Sequence, residues 1–189
     1  MPISLPPGAV YVDEFITADE EQRLQRNLYS GEWSSDLKRR VQHFGYRYDY
    51  RARSILPDSY LGPLPDWLSS IGQRIARAGS FDRVPDQVIA NEYEPGQGIS
   101  AHIDCEPCFG NVIASLSLLS ATVMILADTI QSVRTELLLK PRSLLILSDR
   151  ARHEWTHDIP ARKTDVVDTI RIARSRRVSL TFRTVIHSS

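Results

Sequence analysis

From residue 88 onward the sequence breaks into short β-favouring runs, and few folds accommodate that pattern. Runs at 88–93, 112–119, 122–126, 136–140, 143–147, 155–159 and 177–185 are rich in Val, Ile, Leu and Thr, with turn residues between them. Seven such strands with little helix among them predict a sandwich or jelly roll. The last run alternates: Val178, Leu180 and Phe182 are apolar, whereas Arg177, Ser179, Thr181 and Arg183 are polar or charged. Successive strand side chains point to opposite faces. A polar, doubly cationic face ordinarily meets solvent, but inside a jelly roll it could line the cavity.

The first third is built differently. Residues 11–15 read as a short strand, and Thr17-Ala-Asp-Glu20 is a capping box that opens a helix through about Leu28. Trp67, Leu68, Ile71 and Ile75 recur at helical spacing between Asp66 and Ala78, with Gly79 as the stop. Residues 41–50, Val-Gln-His-Phe-Gly-Tyr-Arg-Tyr-Asp-Tyr, form an aromatic hairpin. Its rings either pack on a core or stack on nucleic-acid bases. The expected architecture is one domain over 1–189, mainly β with flanking helices (α+β): helices and hairpin over 1–84, a jelly-roll core over 85–189.

Composition narrows the class. A chain of 189 residues, 42% apolar and 24% charged, buries a core without staples. Its start lacks the basic and apolar regions of a signal peptide, and no apolar run approaches a membrane span. A cytoplasmic monomer with no membrane partner is expected. Zero net charge argues against a strongly basic nucleic-acid binder. Yet 20 of the 23 cations are Arg, which suits phosphate and carboxylate recognition better than Lys. Cys105 and Cys108 form one Cys-x-x-Cys, and a structural zinc site needs four ligands. They are expected to be two reduced thiols.

The chemistry gathers in residues 91–104, Asn-Glu-Tyr-Glu-Pro-Gly-Gln-Gly-Ile-Ser-Ala-His-Ile-Asp. On a strand, His102 and Asp104 would share a face and could bind one ion. An imidazole and a carboxylate are two-thirds of the 2-His-1-carboxylate triad of non-haem Fe(II) oxygenases. Alone, His-x-Asp is weak. A third ligand would come from His153, His157 or His187. His187 lies at the terminus and His153 in a polar loop, so His157, in the run 155–159, is favoured. Asn91 and Tyr93, again two apart, add neutral donors. Arg177 and Arg183 are six residues apart, roughly 20 Å along a strand, so both cannot grip one small carboxylate head-on.

Taken in order, Asn-x-Tyr-x-x-Gly, His-x-Asp, Ser-Leu-Ser-Leu, Trp-x-His and Arg-x5-Arg around Leu-Thr-Phe resemble the AlkB family of Fe(II)- and 2-oxoglutarate-dependent dioxygenases. The likeness extends over nearly the whole chain, from Pro6-Pro7-Gly8 through the aromatic hairpin. It implies a double-stranded β-helix, with His102, Asp104 and His157 on iron. It implies Asn91, Tyr93 and Arg177 on 2-oxoglutarate, with Ser179 and Thr181 nearby and Arg183 beside Asp104. With O2, the cosubstrate would yield succinate and CO2, and an N-hydroxymethyl product would release formaldehyde.

The expected substrate is an alkylated base, methyl or etheno, in DNA or RNA. Glu106 occupies a place where members acting on cationic bases carry an acidic residue. The hairpin residues His43, Phe44, Tyr46 and Tyr48 fall in the family's nucleotide lid, where a flipped base stacks, and Arg39, Arg40 and Arg51 would meet phosphates. Other features, Arg40-Val-Gln-His-Phe-Gly-Tyr and the Arg152-to-His157 spacing, look closer to homologues that hydroxylate the tRNA wobble uridine. The alternatives are therefore a hydroxylase of tRNA uridine or of a protein side chain, or an inactive jelly-roll binding module. Leu119 and Ser148 stand where the family commonly has Gly.

Overall fold

Two antiparallel sheets face each other, and helices cover the back of the larger one. The structure, a computed structural model, describes residues 4–186; His187, a candidate ligand, lies outside them. In chain order the elements are β1 (Ala9–Val12), α1 (Ala18–Ser30), β2 (Arg40–Phe44), α2 (Asp66–Ala78), β3 (Gln87–Tyr93), β4 (Ile99–His102), β5 (Ile113–Leu118), β6 (Thr122–Asp128), β7 (Arg134–Leu139), β8 (Leu144–Leu147), α3 (Asp149–His153), β9 (Trp155–Ile159), β10 (Thr164–Val167), β11 (Ile170–Ala173) and β12 (Arg177–Arg183). The six-stranded sheet runs β1-β8-β5-β12-β3-β2 and the four-stranded sheet β4-β9-β6-β7. This is the predicted jelly roll, and β10–β11 forms a separate hairpin.

Period-two alternation on the central strands decides what faces what. Val88 and Ala90 of β3 and Val178, Leu180 and Phe182 of β12 turn outward and pack with Leu24 and Leu28 of α1 and Leu68, Ile71 and Ile75 of α2. Each fully buried side chain of this size contributes about 1.5–3 kcal/mol. The other face is polar. In register, Arg177 lies opposite Tyr93, Ser179 opposite Asn91, Thr181 opposite Ile89 and Arg183 opposite Gln87. This face looks toward the four-stranded sheet. Between the sheets Met124, Leu126, Leu145, Leu147, Trp155 and Ile159 form an apolar cluster, and Met124, Leu145, Leu147 and Ile159 also border the space left open beside it.

Several boundaries moved from the sequence expectation. The Thr17 capping box is present, and α1 runs two residues beyond Leu28 to Ser30. The aromatic stretch leaves the sheet at Phe44, because Gly45 adopts φ +77° and its Cα sits so close to the Asp86 carbonyl that a Cβ would lie 1.8 Å from the oxygen. The region expected as a polar loop around His153 is the short helix α3. Cys105 and Cys108, expected as free thiols, are joined as a disulfide. Leu119, where a glycine is common, adopts φ +75°, and its N–H donates to Glu21 Oε1 at 2.8 Å.

Candidate metal centre and cosubstrate cavity

β4 pairs with β9 so that His102 lies directly opposite His157, after a register shift between Ile99 and His102. The shift aims the ring as bulges do, and the imidazole centroids sit 4.3 Å apart. Asp104 lies just past the end of β4 rather than on it. Its Oδ1 is 3.4 Å from Nε2 of His102 and 3.4 Å from Nε2 of His157. One ligand atom from each of the three residues falls within 4.8 Å of the others. His102 Nδ1 is 2.7 Å from the Ser100 carbonyl, a contact that puts the proton on Nδ1 and leaves Nε2 free to ligate.

Asp104 is buried at 6% exposure. Burial opposes its ionisation, but the Arg183 guanidinium and the two imidazoles overcome this and hold its carboxyl well below the usual range. Arg183 Nε donates to Asp104 Oδ2 at 2.7 Å, while Nη1 reaches Gln87 and the guanidinium lies over the Phe109 ring. One carboxylate oxygen is thus tied to Arg183 and the other is left facing the imidazoles. The loop behind Asp104 is held by a residue whose role the sequence did not reveal. Arg152, 2% exposed, donates to the carbonyls of Asp104, Cys105, Phe109 and Gly110. An Arg in an apparently polar segment gives no sign that it will be buried.

A cavity of about 1050 Å³ opens from this cluster along the polar face of β3, β5 and β12. Asn91, Tyr93, Arg177, Ser179, Thr181 and Arg183 all line it. Arg177 is 3% exposed; its Nη2 donates to Ser117 Oγ at 2.8 Å, while Nε and Nη1 have no partner among the described residues. Its guanidinium lies 5.6 Å from the Tyr93 ring centroid. Burial lowers its pKa to about 10, so it stays charged at neutral pH. A buried cation with two idle donor atoms is a receptor for an anion.

The residues expected to meet substrate divide. Tyr48 and Arg39 reach the cavity wall, together with Lys38, Tyr50 and Arg53, and Arg39 Nε also donates to Asn91 Oδ1 at 2.8 Å. Phe44 turns to the helix side, edge-on to Trp67 at 5.5 Å. Arg40 shares that side and pairs with Glu92 at 2.7 Å. Both follow from β2, where Arg40, Gln42 and Phe44 oppose Glu92, Ala90 and Val88. Tyr46 packs on Tyr60 at 5.0 Å, and Arg51 is exposed beyond the cavity wall. Glu106 is exposed and sits 2.6 Å from His153 Nδ1, so it does not line the cavity and His153 is not beside the cluster. The expected base pocket is corrected on Phe44, Tyr46, Arg40, Arg51 and Glu106. His43 lies beneath Tyr50, and burial pulls its pKa down to about 4.

The family model described as the 2OG-Fe(II) oxygenase superfamily matches residues 8–183. The chain belongs to this superfamily. Mouse ALKBH8, named a tRNA (carboxymethyluridine(34)-5-O)-methyltransferase, is 38% identical over 96% of this chain, which spans 31% of the mouse protein. An Arabidopsis thaliana protein named alkylated DNA repair protein ALKBH8 homolog is also 38% identical, over 95% of this chain and 58% of its own length. Uncharacterized protein L905 of Acanthamoeba polyphaga mimivirus is 34% identical over 95% of this chain and 85% of its own. The solved structure of OsALKBH1 superposes with a TM-score of 0.75 at 20% identity, covering 97% of this chain and all of that one; it shows the shared fold.

The superfamily to which the chain belongs uses Fe(II), 2-oxoglutarate and O2. The residues present fit those groups. Two imidazoles and one carboxylate are the donor set of the facial triad; holding Fe(II), they would leave it a net positive charge suited to an anionic cosubstrate. The idle Nε and Nη1 of buried Arg177 would suit an anionic carboxylate. Among the described residues, no helix is long and apolar enough to cross a membrane.

Proposed function

We propose that this oxygenase oxidises a base in a nucleic acid, and that its reaction is the oxidative dealkylation of an alkylated DNA or RNA base. The observation that supports this reading is the cavity mouth, where Tyr48 and Tyr50 sit among Lys38, Arg39 and Arg53. These aromatic rings suit stacking and the cations suit phosphates. None of the three cations has an ion-pair partner among the described residues. Net neutrality therefore hides a cationic rim.

In this reading His102, Asp104 and His157 hold the iron, Arg183 fixes the Asp104 carboxylate, and Arg177 with Asn91, Tyr93, Ser179 and Thr181 holds 2-oxoglutarate. Bound there, the iron supplies oxidation of a C–H bond coupled to conversion of 2-oxoglutarate and O2 to succinate and CO2. Where the hydroxylated carbon is attached to a base nitrogen, the C–N bond breaks and an aldehyde leaves. Tyr48 and Tyr50 orient the base, and the apolar packing between the sheets keeps water from the far end.

A second reading, hydroxylation of a modified tRNA uridine, has its own support. Glu106 is engaged by His153 outside the cavity, so the position expected to pair with a cationic base is taken, and mouse ALKBH8 carries a tRNA uridine name. The test is incubation with Fe(II), 2-oxoglutarate and either methylated and etheno-adducted oligonucleotides or total tRNA, read by nucleoside mass. Loss of an alkyl group with aldehyde release supports dealkylation. Gain of one oxygen on a tRNA uridine moves the assignment to the second reading. Succinate release with neither change overturns a nucleic-acid substrate.

A further inference from the structure

The Cys105–Cys108 pair is used by none of the chemistry above, yet it sits where two parts of the site meet. Cys105 directly follows Asp104 and lines the cavity, and Cys108 is 6% exposed. Both sulfurs face one atom of the loop that carries Tyr48 and Tyr50: the Arg53 carbonyl oxygen lies 3.4 Å from Cys105 Sγ and 3.6 Å from Cys108 Sγ. Arg53 itself holds φ +53°, a left-handed conformation that a non-glycine residue keeps only when its surroundings impose it. Around this contact Cys108, Phe109 and Val185 form a small core against which Tyr46, Tyr48, Ile55 and Cys105 pack. This cluster seats the loop of residues 45–61 on the segment that follows Asp104.

The bonding at this joint depends on the oxidation state of the sulfurs. A thiol carries an S–H donor, and a disulfide does not. In the disulfide form the Arg53 carbonyl faces two sulfurs that have no proton to give. In the dithiol form either sulfur can donate to it. The Asp104 segment does not depend on this bond, because Arg152 holds its carbonyls at residues 104, 105, 109 and 110. Redox change at the pair therefore bears on the loop and leaves the metal cluster in place.

We infer that Cys105 and Cys108 are a reversible thiol–disulfide site that sets how firmly loop 45–61 is seated over the cavity, and that its reaction partner is a dithiol reductant of the thioredoxin class. A thiolate of the reductant attacks one sulfur, the Cys105–Cys108 bond breaks, and the reductant leaves as its own disulfide. Its two electrons stay on Cys105 and Cys108, and two protons complete the two S–H groups. One S–H then donates to the Arg53 carbonyl. The reduced protein holds the loop closed and the oxidised protein holds it loosely. This assignment stands whether the substrate is an alkylated base or a tRNA uridine.

Limited trypsin digestion of the full chain, loaded anaerobically with Fe(II) and 2-oxoglutarate, tests it through Arg47, Arg51 and Arg53 in the loop. Cleavage at exposed Arg134, outside the loop, serves as the internal standard. Oxidised wild type should be cut in the loop about two- to fivefold faster than protein reduced with dithiothreitol, the factor for one weak hydrogen bond. The double variant C105S/C108S keeps a donor and cannot oxidise, so it should be cut slowly with or without dithiothreitol. C105A/C108A has no donor and should be cut fast in both conditions. Equal loop cleavage in the two redox states of wild type overturns the inference, and that comparison needs no variant to fold. So does an Ala–Ala variant as resistant as the Ser–Ser one, or a wild type whose cysteines alkylate fully in air before any reductant is added.

Discussion

Replacing Arg177 with Met separates a residue that holds an anion from one that holds the fold. In the absence of ligand, Arg177 is a buried cation with one hydrogen bond to Ser117, a ring beside it and two unpartnered nitrogens. Leaving buried donors unsatisfied costs about 1–3 kcal/mol each. Against this, Met loses the Ser117 bond, about 1 kcal/mol, and the contact with Tyr93, about 0.5–2 kcal/mol. Two unsatisfied donors at about 2–6 kcal/mol, set against losses of about 1.5–3 kcal/mol, put the ligand-free Arg177→Met protein between about 1 kcal/mol less and about 4 kcal/mol more stable than wild type. With cosubstrate the sign reverses. Two charge-assisted bonds are worth about 3–6 kcal/mol, so 2-oxoglutarate affinity should fall more than a hundredfold. Urea unfolding of the anaerobic, metal-loaded protein reads both effects. At a hundred times its dissociation constant, 2-oxoglutarate should add about 2.7 kcal/mol to wild type and nothing to the variant. An Arg177→Met protein that is more than about 2 kcal/mol less stable, yet keeps its response to 2-oxoglutarate, would falsify the reasoning. Arg177→Lys, which keeps the charge but loses the planar fork, should weaken 2-oxoglutarate by about 1.5–3 kcal/mol, seen as a raised Michaelis constant.

Other perturbations address the remaining parts. His102→Ala should abolish metal binding by calorimetry and 2-oxoglutarate turnover, with the metal-free urea midpoint nearly unchanged, while His153→Ala should leave turnover intact because its Nδ1 is engaged by Glu106. His43 is neutral when folded; its pKa falls from the usual 6.5 to about 4 through burial and the nearby Arg47 and Arg183. Its contribution is complete above pH 6.5 and is lost as the pH falls toward 4, so wild type should lose about 2 kcal/mol between pH 7 and pH 5 that His43→Gln does not lose. Asp165, 1% exposed, accepts from Arg174 and Arg162, so Asp165→Asn should destabilise by about 3–5 kcal/mol in urea by leaving a buried Arg174 uncompensated. Gly45→Ala should cost more than about 2 kcal/mol by the same measurement, since its Cβ would overlap the Asp86 carbonyl.

How much of this could be read from the sequence depended on whether a side chain's surroundings are set by neighbours in the chain. β12 could be read because its apolar and polar residues alternate without a break and it is paired on both edges, by β3 and β5. α2 could be read to the residue, because its apolar stripe, Gly79 stop and Pro65 start are all local. The β10–β11 hairpin could not. Its residues mix Asp165, Asp168 and Arg171 with Val166 and Ile170, and its anchor is the ion pair from Asp165 to Arg174, which exists only once both strands are placed. The disulfide was missed for a related reason. A lone Cys-x-x-Cys says nothing about backbone geometry, whereas the folded loop sets the two Cα atoms 5.3 Å apart, inside the range a disulfide spans.

The substrate loop shows where counting residues fails most sharply. Phe44, Tyr46, Tyr48 and Tyr50 are each two apart, so an unbroken strand would place all four rings on one face. Gly45 interrupts that parity. With φ +77° and its Cα against Asp86, it turns the chain out of the sheet directly after Phe44, which stays on the helix side with Trp67. Beyond the turn the loop is held by its own pairings, Tyr46 with Tyr60 and Asp49 with Ser54, and these bring Tyr48 and Tyr50 to the cavity. The two rings meet edge-on at 5.1 Å, Tyr48 rests on Phe109, and Phe109 lies under the Arg183 that holds Asp104. A base stacked at the mouth would therefore press on the same column of side chains that fixes the metal-site carboxylate. Tyr48 and Phe109 are thus the contacts that join the loop to Arg183.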